Sequence, residues 1–359
     1  MASLPNSRAA EARRSLLRWY QRRARALPWR KSRNPYTVWI SEIMLQQTQI
    51  ETVIPYYQRF IREFPTIRRL AKAPLERVLE LWSGLGYYRR ARNLHQAAQE
   101  MVEKHGGRFP RELKQALSLP GVGDYTARAV LSIAYNQPYA VLDGNVARVM
   151  ARLLALRGNL HQLQFRRLIE ENLEMLLSRR SPGNFNQAMM ELGQTVCLPR
   201  SPRCSICPLR LECRGFQSGK AESYPQPRPR KQAEEWHMAA AVLRKNQQVM
   251  LVLGLDDGLL GDLWNFPAAL GRSGSEALTR LKKKLSSLLG TVPLLKGPEH
   301  KLHHNITHRS IQVHVYKGFL NIRTNSAGSR WFHPPSVGQA AVSQLARKIA
   351  RKLGETALP

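Results

Sequence analysis

The chain is 359 residues long, which at roughly 150 residues per domain points to two domains. Lys and Arg total 56 against 25 Asp and Glu, a formal charge of +31, so a polyanion is the natural partner. Four cysteines in a chain able to bury a full core exclude a small disulfide-held secreted scaffold, and no apolar run approaches the roughly 20 residues of a membrane span.

From Arg8 to Lys31 there are nine basic residues and one acidic residue, Glu11. A transit peptide shares that composition, but the segment runs unbroken into a helical pattern carrying Leu16, Leu17, Trp19 and Tyr20, which reads as core. Nothing resembles a secretory h-region, so a soluble, intracellular protein with no membrane partner is expected. Residues 1–216 read as a mainly helical domain with short Gly and Pro punctuation and no tandem repeat.

The first chemical stretch is VWISEIMLQQTQI, where Glu42 sits among Val38, Trp39, Ile40, Ile43, Met44 and Leu45. Burial favours the protonated form of a carboxyl and suits it to general acid work near neutral pH; the alternative is a Glu on the one solvated side of a buried helix. WSGLGYYRRARNLH then mixes glycine, aromatic and guanidinium groups. Such interleaving serves to wedge a duplex while holding its phosphates, or is aromatic core beside a basic surface. In ARNLHQAAQEMVEKHGG, Leu94, Ala97, Ala98, Met101 and Val102 fall at helical spacing, and Gly106-Gly107 supplies the stop.

LPGVGDYTARAVLSIAY, residues 119–135, places Gly121 and Gly123 directly before a helical run. Glycines allow close backbone approach and the first helix amides point outward, which suits a phosphate; an ordinary tight turn between helices is the other reading. AVLDGNVARV puts Asp143 before Gly144-Asn145, either as a turn residue and helix cap or as a second carboxylate paired with Glu42. Two carboxylates in different environments divide acid and charge-stabilising roles in glycosidic bond cleavage. FRRLIEENLEMLL repeats the helical pattern through Phe165, Leu168, Ile169, Leu173 and Leu176.

Every cysteine falls within CLPRSPRCSICPLRLEC, with six, two and five residues between Cys197, Cys204, Cys207 and Cys213. Metal ligation is the expectation. The single CxxC fits neither the paired knuckles of structural zinc nor the short-gap ferredoxin run, so zinc and an iron-sulfur cluster both stay open. QSGKAESYPQPRPRKQ, with Pro225, Pro227 and Pro229, follows as a semi-stiff spacer, and the linker is set at 217–233. Residues 234–359 then read as an α+β domain. MAAAVLRKNQQVMLVL predicts two strands around a Lys245-Asn246 turn, SEALTRLKKKLSSLL a helix with Leu278, Leu281, Leu285 and Leu288 inward, SIQVHVYKGFL a strand, and AVSQLARKIARKLG a basic amphipathic helix.

Taken together, LPWR, SEIMLQQTQ, GLGYYRRARNLH, LPGVGDYTA, LDGNVARV, FNQAMMELG and C-x6-C-x2-C-x5-C resemble, in this order, the MutY-type adenine DNA glycosylases of the endonuclease III, helix-hairpin-helix superfamily. The resemblance implies a glycosylase domain holding a [4Fe-4S] cluster on Cys197, Cys204, Cys207 and Cys213, and a Nudix-like lesion-recognition domain. It implies hydrolysis of the N-glycosidic bond of adenine mispaired with 8-oxoguanine or guanine in double-stranded DNA. Glu42 resembles the acid that protonates adenine at N7, Asp143 the carboxylate that stabilises the oxocarbenium-like sugar, and Tyr125 and Asn145 their supporting residues. Arg30, Trp29 and Gln187 match adenine-pocket positions, and Gln46 and Tyr87 match residues that enter the stack around the flipped nucleotide.

Lyases of the superfamily carry a Schiff-base lysine at the position matching Tyr125. The resemblance therefore implies a monofunctional enzyme, or one with weak lyase activity, and a pyrimidine-lesion glycosylase/lyase is the competing enzyme. A non-catalytic DNA-binding iron-sulfur protein would leave Glu42 and Asp143 unexplained. In the second domain the helix offers Glu276 and then Lys282, Lys283 and Lys284, which argues against nucleotide hydrolysis. The family's Phe-Ser-His lesion loop corresponds to Ile306-Thr307-His308: Thr307 keeps the hydroxyl and Ile306 loses the ring, which leaves the strength of the 8-oxoguanine preference open. A monomer is expected and, if the source is bacterial, a cytoplasmic, nucleoid-associated one; the sequence does not determine the organism.

Overall fold

The computed structural model describes residues 5–226, 234–254, 263–306, 309–320, 328–337, 340 and 342–355. The chain divides into two compact units, one of Met1–Ala73 with Arg92–Pro229, the other of Pro74–Ala91 with Arg230–Pro359. In chain order the helices up to the cysteine cluster are α1 (Asn6–Arg23), α2 (Pro35–Leu45), α3 (Ile50–Glu63), α4 (Ile67–Lys72), α5 (Leu75–Trp82), α6 (Arg89–Lys104), α7 (Leu113–Ser118), α8 (Asp124–Tyr135), α9 (Gly144–Leu154), α10 (Leu163–Leu176) and α11 (Pro182–Thr195). None among the described residues is long and apolar enough to cross a membrane.

Helix α2 is apolar on nearly every side, as a helix enclosed by others must be. Asn34 starts it by accepting from the Tyr36 amide, Pro35 fills the first turn, and Val38, Trp39, Ile40, Ile43 and Met44 are all buried. It packs on α8, while α11 packs on both α8 and α9. These four helices bring Glu42 on α2, Tyr125 in the first turn of α8, Asp143 ahead of α9 and Gln187 on α11 into one region. Helices α7 and α8 form the expected helix-hairpin-helix, with Gly121 at φ +73° and a Cβ there only 2.6 Å from that of Asn93. The periodic stretches are buried as read in α6 and α10, except that Val102 and Leu168 stay half-buried.

The second unit is built on a mixed sheet of β1 (Glu234–Lys245), β2 (Gln248–Leu253), β3 (Trp264–Asn265), β4 (Ala268–Gly271), β5 (Leu295–Ile306), β6 (Arg309–Phe319) and β7 (Ser329–Phe332). The order is β3-β2-β1-β6-β5, with β4 on β1 and β7 on β2, and only β1 and β6 run parallel among these pairs. Strand β1 is buried on both sides, which explains its unbroken apolar run. Met238, Ala240 and Val242 face one core with Leu345, Ile349 and Leu353, and Ala239, Ala241 and Leu243 face another with Leu281 and Leu285.

The second unit is therefore α+β, as expected, with two local differences. The β1–β2 turn falls at Asn246-Gln247, one residue later than read, because both residues take the positive φ of +43° and +63° that a tight hairpin needs. On the helix α12 (Arg214–Gln217) nothing changes the cysteine reading, but the chain beyond it, read as spacer, is still engaged with the first unit: Gln226 N–H donates to Gly158 C=O at 2.8 Å. The rest of the spacer, 227–233, lies outside the described residues. Helix α13 (Gly274–Leu289) buries Ala277, Leu281, Leu285 and Leu289 fully, with Leu278 and Leu288 only partly covered. Helices α14 (Pro334–Val337) and α15 (Gln344–Glu355) complete the unit.

Residues 74–91 lie inside the stretch read as the first domain but belong to the second unit. Polar ties distant in sequence are among what holds them: the Tyr88 hydroxyl donates to Val342 C=O at 3.1 Å, and Arg330 pairs with Glu76 at 3.3 Å.

Candidate active site and thiol cavity

A cavity of about 950 Å³ opens in the first unit, and Trp29, Arg30, Glu42, Gln46, Gly123, Tyr125, Asp143, Asn145 and Gln187 all line it. Residues scattered over more than 150 positions of sequence thus share one chamber. Gly121, exposed in the α7–α8 hairpin, does not line it. Tyr87 lies in the second unit, where its ring is 56% exposed. Thr307 and His308 lie outside the described residues.

Glu42 is buried, and apart from Ser41 its buried neighbours along α2 are apolar or aromatic. Burial drives its carboxyl up to about 7, against the hydrogen bond that the Tyr125 hydroxyl donates to Oε2 at 2.9 Å; the Asp143 carboxylate adds to the rise and the Arg30 guanidinium opposes it. A carboxyl with that pKa holds a proton at neutral pH and can give it up, which is what a general acid needs. The Tyr125 hydroxyl is itself pushed well above its usual range by burial and by both carboxylates, so it stays a neutral hydrogen-bond donor.

Asp143 caps α9. Its Oδ1 accepts from the Val146 amide at 2.6 Å and its Oδ2 from Asn145 Nδ2 at 2.9 Å. The capping reading of the sequence is therefore realised, and the cap fixes the carboxylate in the cavity that Glu42 also lines. Asn145 is oriented in turn by Arg148, whose Nη2 donates to Asn145 Oδ1 at 2.9 Å and to Gly193 C=O at 2.8 Å, while Nε donates to Cys197 C=O at 2.9 Å. Gly193 lets α11 come this close, since a Cβ there would stand 2.7 Å from that of Asn145.

Glu191 is fully buried and gathers two of the lining arginines, Arg25 and Arg30. Arg25 Nε reaches its Oε1 at 2.6 Å and Arg30 Nη2 its Oε2 at 2.8 Å. Burial alone would raise the Glu191 carboxyl, but Arg25 and Arg30 overcome it and hold the group below its ordinary value. Glu191 is the main residue the sequence reading missed, because ELGQ at the end of an amphipathic helix looks like a solvated face. Trp29 stands edge-on to Tyr57 with centroids 5.3 Å apart, Gln46 Nε2 donates to Thr126 Oγ1 at 3.2 Å, and the next residue, Gln47, takes the strained φ of +56°.

All four cysteines are unbridged and line a second cavity with Arg152. Among the described residues no three His, Cys, Asp or Glu side chains are grouped as a single-ion site. The thiols ring a shared space instead, an all-sulfur donor set of the kind that holds an iron-sulfur cluster at its corners. Burial pushes the Cys207 thiol up to about 12 and raises Cys204 and Cys213 as well, so a bound cation is what would hold these groups as thiolates. Buried Arg152 ties the loop to α9, donating to Leu198 C=O at 2.5 Å, Pro199 C=O at 2.8 Å and Tyr224 C=O at 3.0 Å.

Residues 40–175 match the family model described as HhH-GPD superfamily base excision DNA repair protein. The adenine DNA glycosylase of Rattus norvegicus is 36% identical over 94% of this chain and 77% of its own length. That of Homo sapiens is 36% identical over 94% and 73%, and that of Buchnera aphidicola from Acyrthosiphon pisum 36% over 82% and 83%. Among solved structures, a thermostable thymine-DNA glycosylase superposes with a TM-score of 0.55 at 29% identity, covering 59% of this chain and 98% of that one. A trapped endonuclease III–DNA covalent intermediate gives 0.52 at 24%, with 60% and 99% covered, a likeness of fold.

Proposed function

The chain belongs to the adenine DNA glycosylase family, within the HhH-GPD superfamily of base excision DNA repair proteins, and on that premise we propose that it removes adenine paired with 8-oxoguanine or guanine in duplex DNA by hydrolysis. Removal of adenine from DNA is the family's activity; the mispair and the chemistry below are the reading the cavity supports best. The observation that carries it is one chamber holding a buried carboxyl with a pKa of about 7 and a second carboxylate fixed on a helix N-terminus.

Inside a duplex the glycosidic bond is out of reach, so the adenine is extruded into the 950 Å³ cavity, where Arg30, Gln187 and Trp29 surround it. Glu42 gives its proton to adenine N7, turning a poor leaving group into a neutral one. As the C1′–N9 bond breaks, positive charge spreads over the sugar, and the Asp143 carboxylate, held by Val146 N–H and Asn145, faces it without reorganising. Water adds to C1′ and leaves an abasic site. Tyr125 holds Glu42 and has no amine with which to open the sugar, so no Schiff base forms.

The four cysteines would hold a [4Fe-4S] cluster, and the 197–213 loop folded around it would present Arg200, Arg203, Arg210 and Arg214 to the DNA phosphates. The chain's own link from that loop to the sugar is Arg148. Arg148→Gln is expected to cut the rate of adenine release about tenfold by slackening Asn145 and thereby Asp143, while leaving the pH dependence set by Glu42 in place. An unchanged single-turnover rate would remove Arg148 from the site. Reading of the base opposite the adenine is assigned to Thr307 and His308, which follow the last residue of β5 in sequence.

The test is release of adenine from duplexes holding A opposite 8-oxoguanine, guanine or thymine, with strand scission scored with and without alkali. Alkali-dependent cleavage at the two mispairs and none at A opposite thymine is expected. Scission without alkali would instead support a lyase, and tight binding with no release a non-catalytic DNA-binding protein.

A further inference from the structure

The loop between α5 and α6 presents one large ring to solvent and is built to hold it there. Gly84 and Gly86 take φ of +102° and +78°, and Tyr87 itself takes +50°, a conformation that a residue with a side chain adopts only when its surroundings impose it. Trp82, Leu85 and Tyr88 are buried around it while Tyr87 is 56% exposed. Trp82 Nε1 donates to Gly86 C=O at 3.1 Å, and the Arg90 guanidinium lies over the Tyr87 ring at 5.2 Å. An exposed aromatic with a cation beside it is the side-chain chemistry of base-stack insertion.

Two glycines in four residues would leave such a loop slack. What it is bonded to is the chain leading into α15 and the first turn of α15 itself, over 250 residues away. The Tyr88 hydroxyl donates to Val342 C=O at 3.1 Å and accepts from Gly84 N–H at 3.0 Å. Gln344 Nε2 donates to Gly84 C=O at 2.8 Å, Ser83 Oγ donates to Ala340 C=O at 3.2 Å, and Arg347 Nη2 donates to Ser83 Oγ. Val342 and Leu345 sit in the sheet's core, so the acceptors are themselves fixed.

We propose that Ser83, Tyr88, Gln344 and Arg347 are positioning residues for base extrusion: through them Ala340 and residues 342–347 lock the loop that drives Tyr87 into the DNA stack. The second unit would then take part in opening the duplex, besides any reading of the opposite base. The proposal rests on the adenine glycosylase reading above.

The test uses full-length protein and a duplex with 2-aminopurine in place of the target adenine opposite guanine, whose fluorescence rises when the base leaves the stack. Tyr88→Phe and Gln344→Ala are each expected to lower the rise at saturating protein about threefold, as for the loss of one or two hydrogen bonds, with duplex affinity little changed. Tyr87→Ala is expected to lower it further, and adding Tyr88→Phe or Gln344→Ala to Tyr87→Ala to change nothing more, because both act through the same ring. Single variants with a wild-type rise, or losses that multiply in the doubles, would overturn the anchoring. Wild-type protein that binds the duplex with no rise at all would instead remove the glycosylase reading, and the anchoring with it.

Discussion

Glu42→Gln is expected to lower single-turnover release of adenine by about 100- to 10,000-fold, the range over which a positioned general acid contributes, with duplex binding retained. The substitution keeps the shape of the side chain and an acceptor for the Tyr125 hydroxyl, so the walls of the cavity stay in place. A second signature separates loss of the proton from a packing effect. With the carboxyl near 7, the acid form falls tenfold per unit above that pH, so the wild-type rate should decline through pH 7 to 9 and the residual rate of Glu42→Gln should not. The stability effect has the opposite sign. A carboxyl raised on folding from 4.5 costs the folded state stability as pH climbs from about 4.5 to about 7, since the unfolded chain ionises first, and above about 7 the loss is complete. Glu42→Gln is spared that loss and is expected to melt higher than wild type at pH 8. A wild-type pH profile flat across this range, or equal rates in both proteins, would remove Glu42 from the acid role.

Asp143→Asn is expected to cost about 100- to 1,000-fold in the same assay, the loss typical of a preorganised group facing transition-state charge. Its value lies in what it leaves intact. Asparagine is as good a helix cap as aspartate, so the bond from the Val146 amide survives and the melting temperature should hold. Asp143→Ala is expected to be equally inactive but to lose about 1 kcal/mol of stability with the cap. Melting curves beside release rates thus resolve the two duties of this residue; activity in Asp143→Asn near wild type would leave the cap as its only one.

Much of the site was legible because its chemistry is locally odd. A glutamate inside VWISEIML and an aspartate between an apolar pair and Gly-Asn stand out without any fold, and α2 and α9 then place them as their helical spacing implies. What was not legible is what depends on partners far along the chain. Glu191 looks like a surface residue until Arg25 and Arg30, over 160 positions earlier, close on it. Arg148 reads as one more basic residue in a chain of +31 until Cys197 and Gly193 supply its acceptors. On α13 the inward line was read through Leu278, Leu281, Leu285 and Leu288; Leu281 and Leu285 are buried as read, joined by Ala277 and Leu289, while Leu278 and Leu288 are only partly buried against the same core.

The passage of residues 74–91 into the second unit sets a schedule for synthesis. The Tyr88 hydroxyl and the Val342 carbonyl are 254 positions apart. At ~5–20 residues per second, a ribosome delivers the acceptor roughly 13 to 50 s after the donor. Throughout that interval Val78, Leu79, Trp82 and Leu85, all buried in the finished protein, have no completed unit to enter. The nascent chain must carry this apolar excursion through the folding of everything around it. It is there that chaperones have most to hold, and that slower translation of the last 130 residues would do most harm to yield.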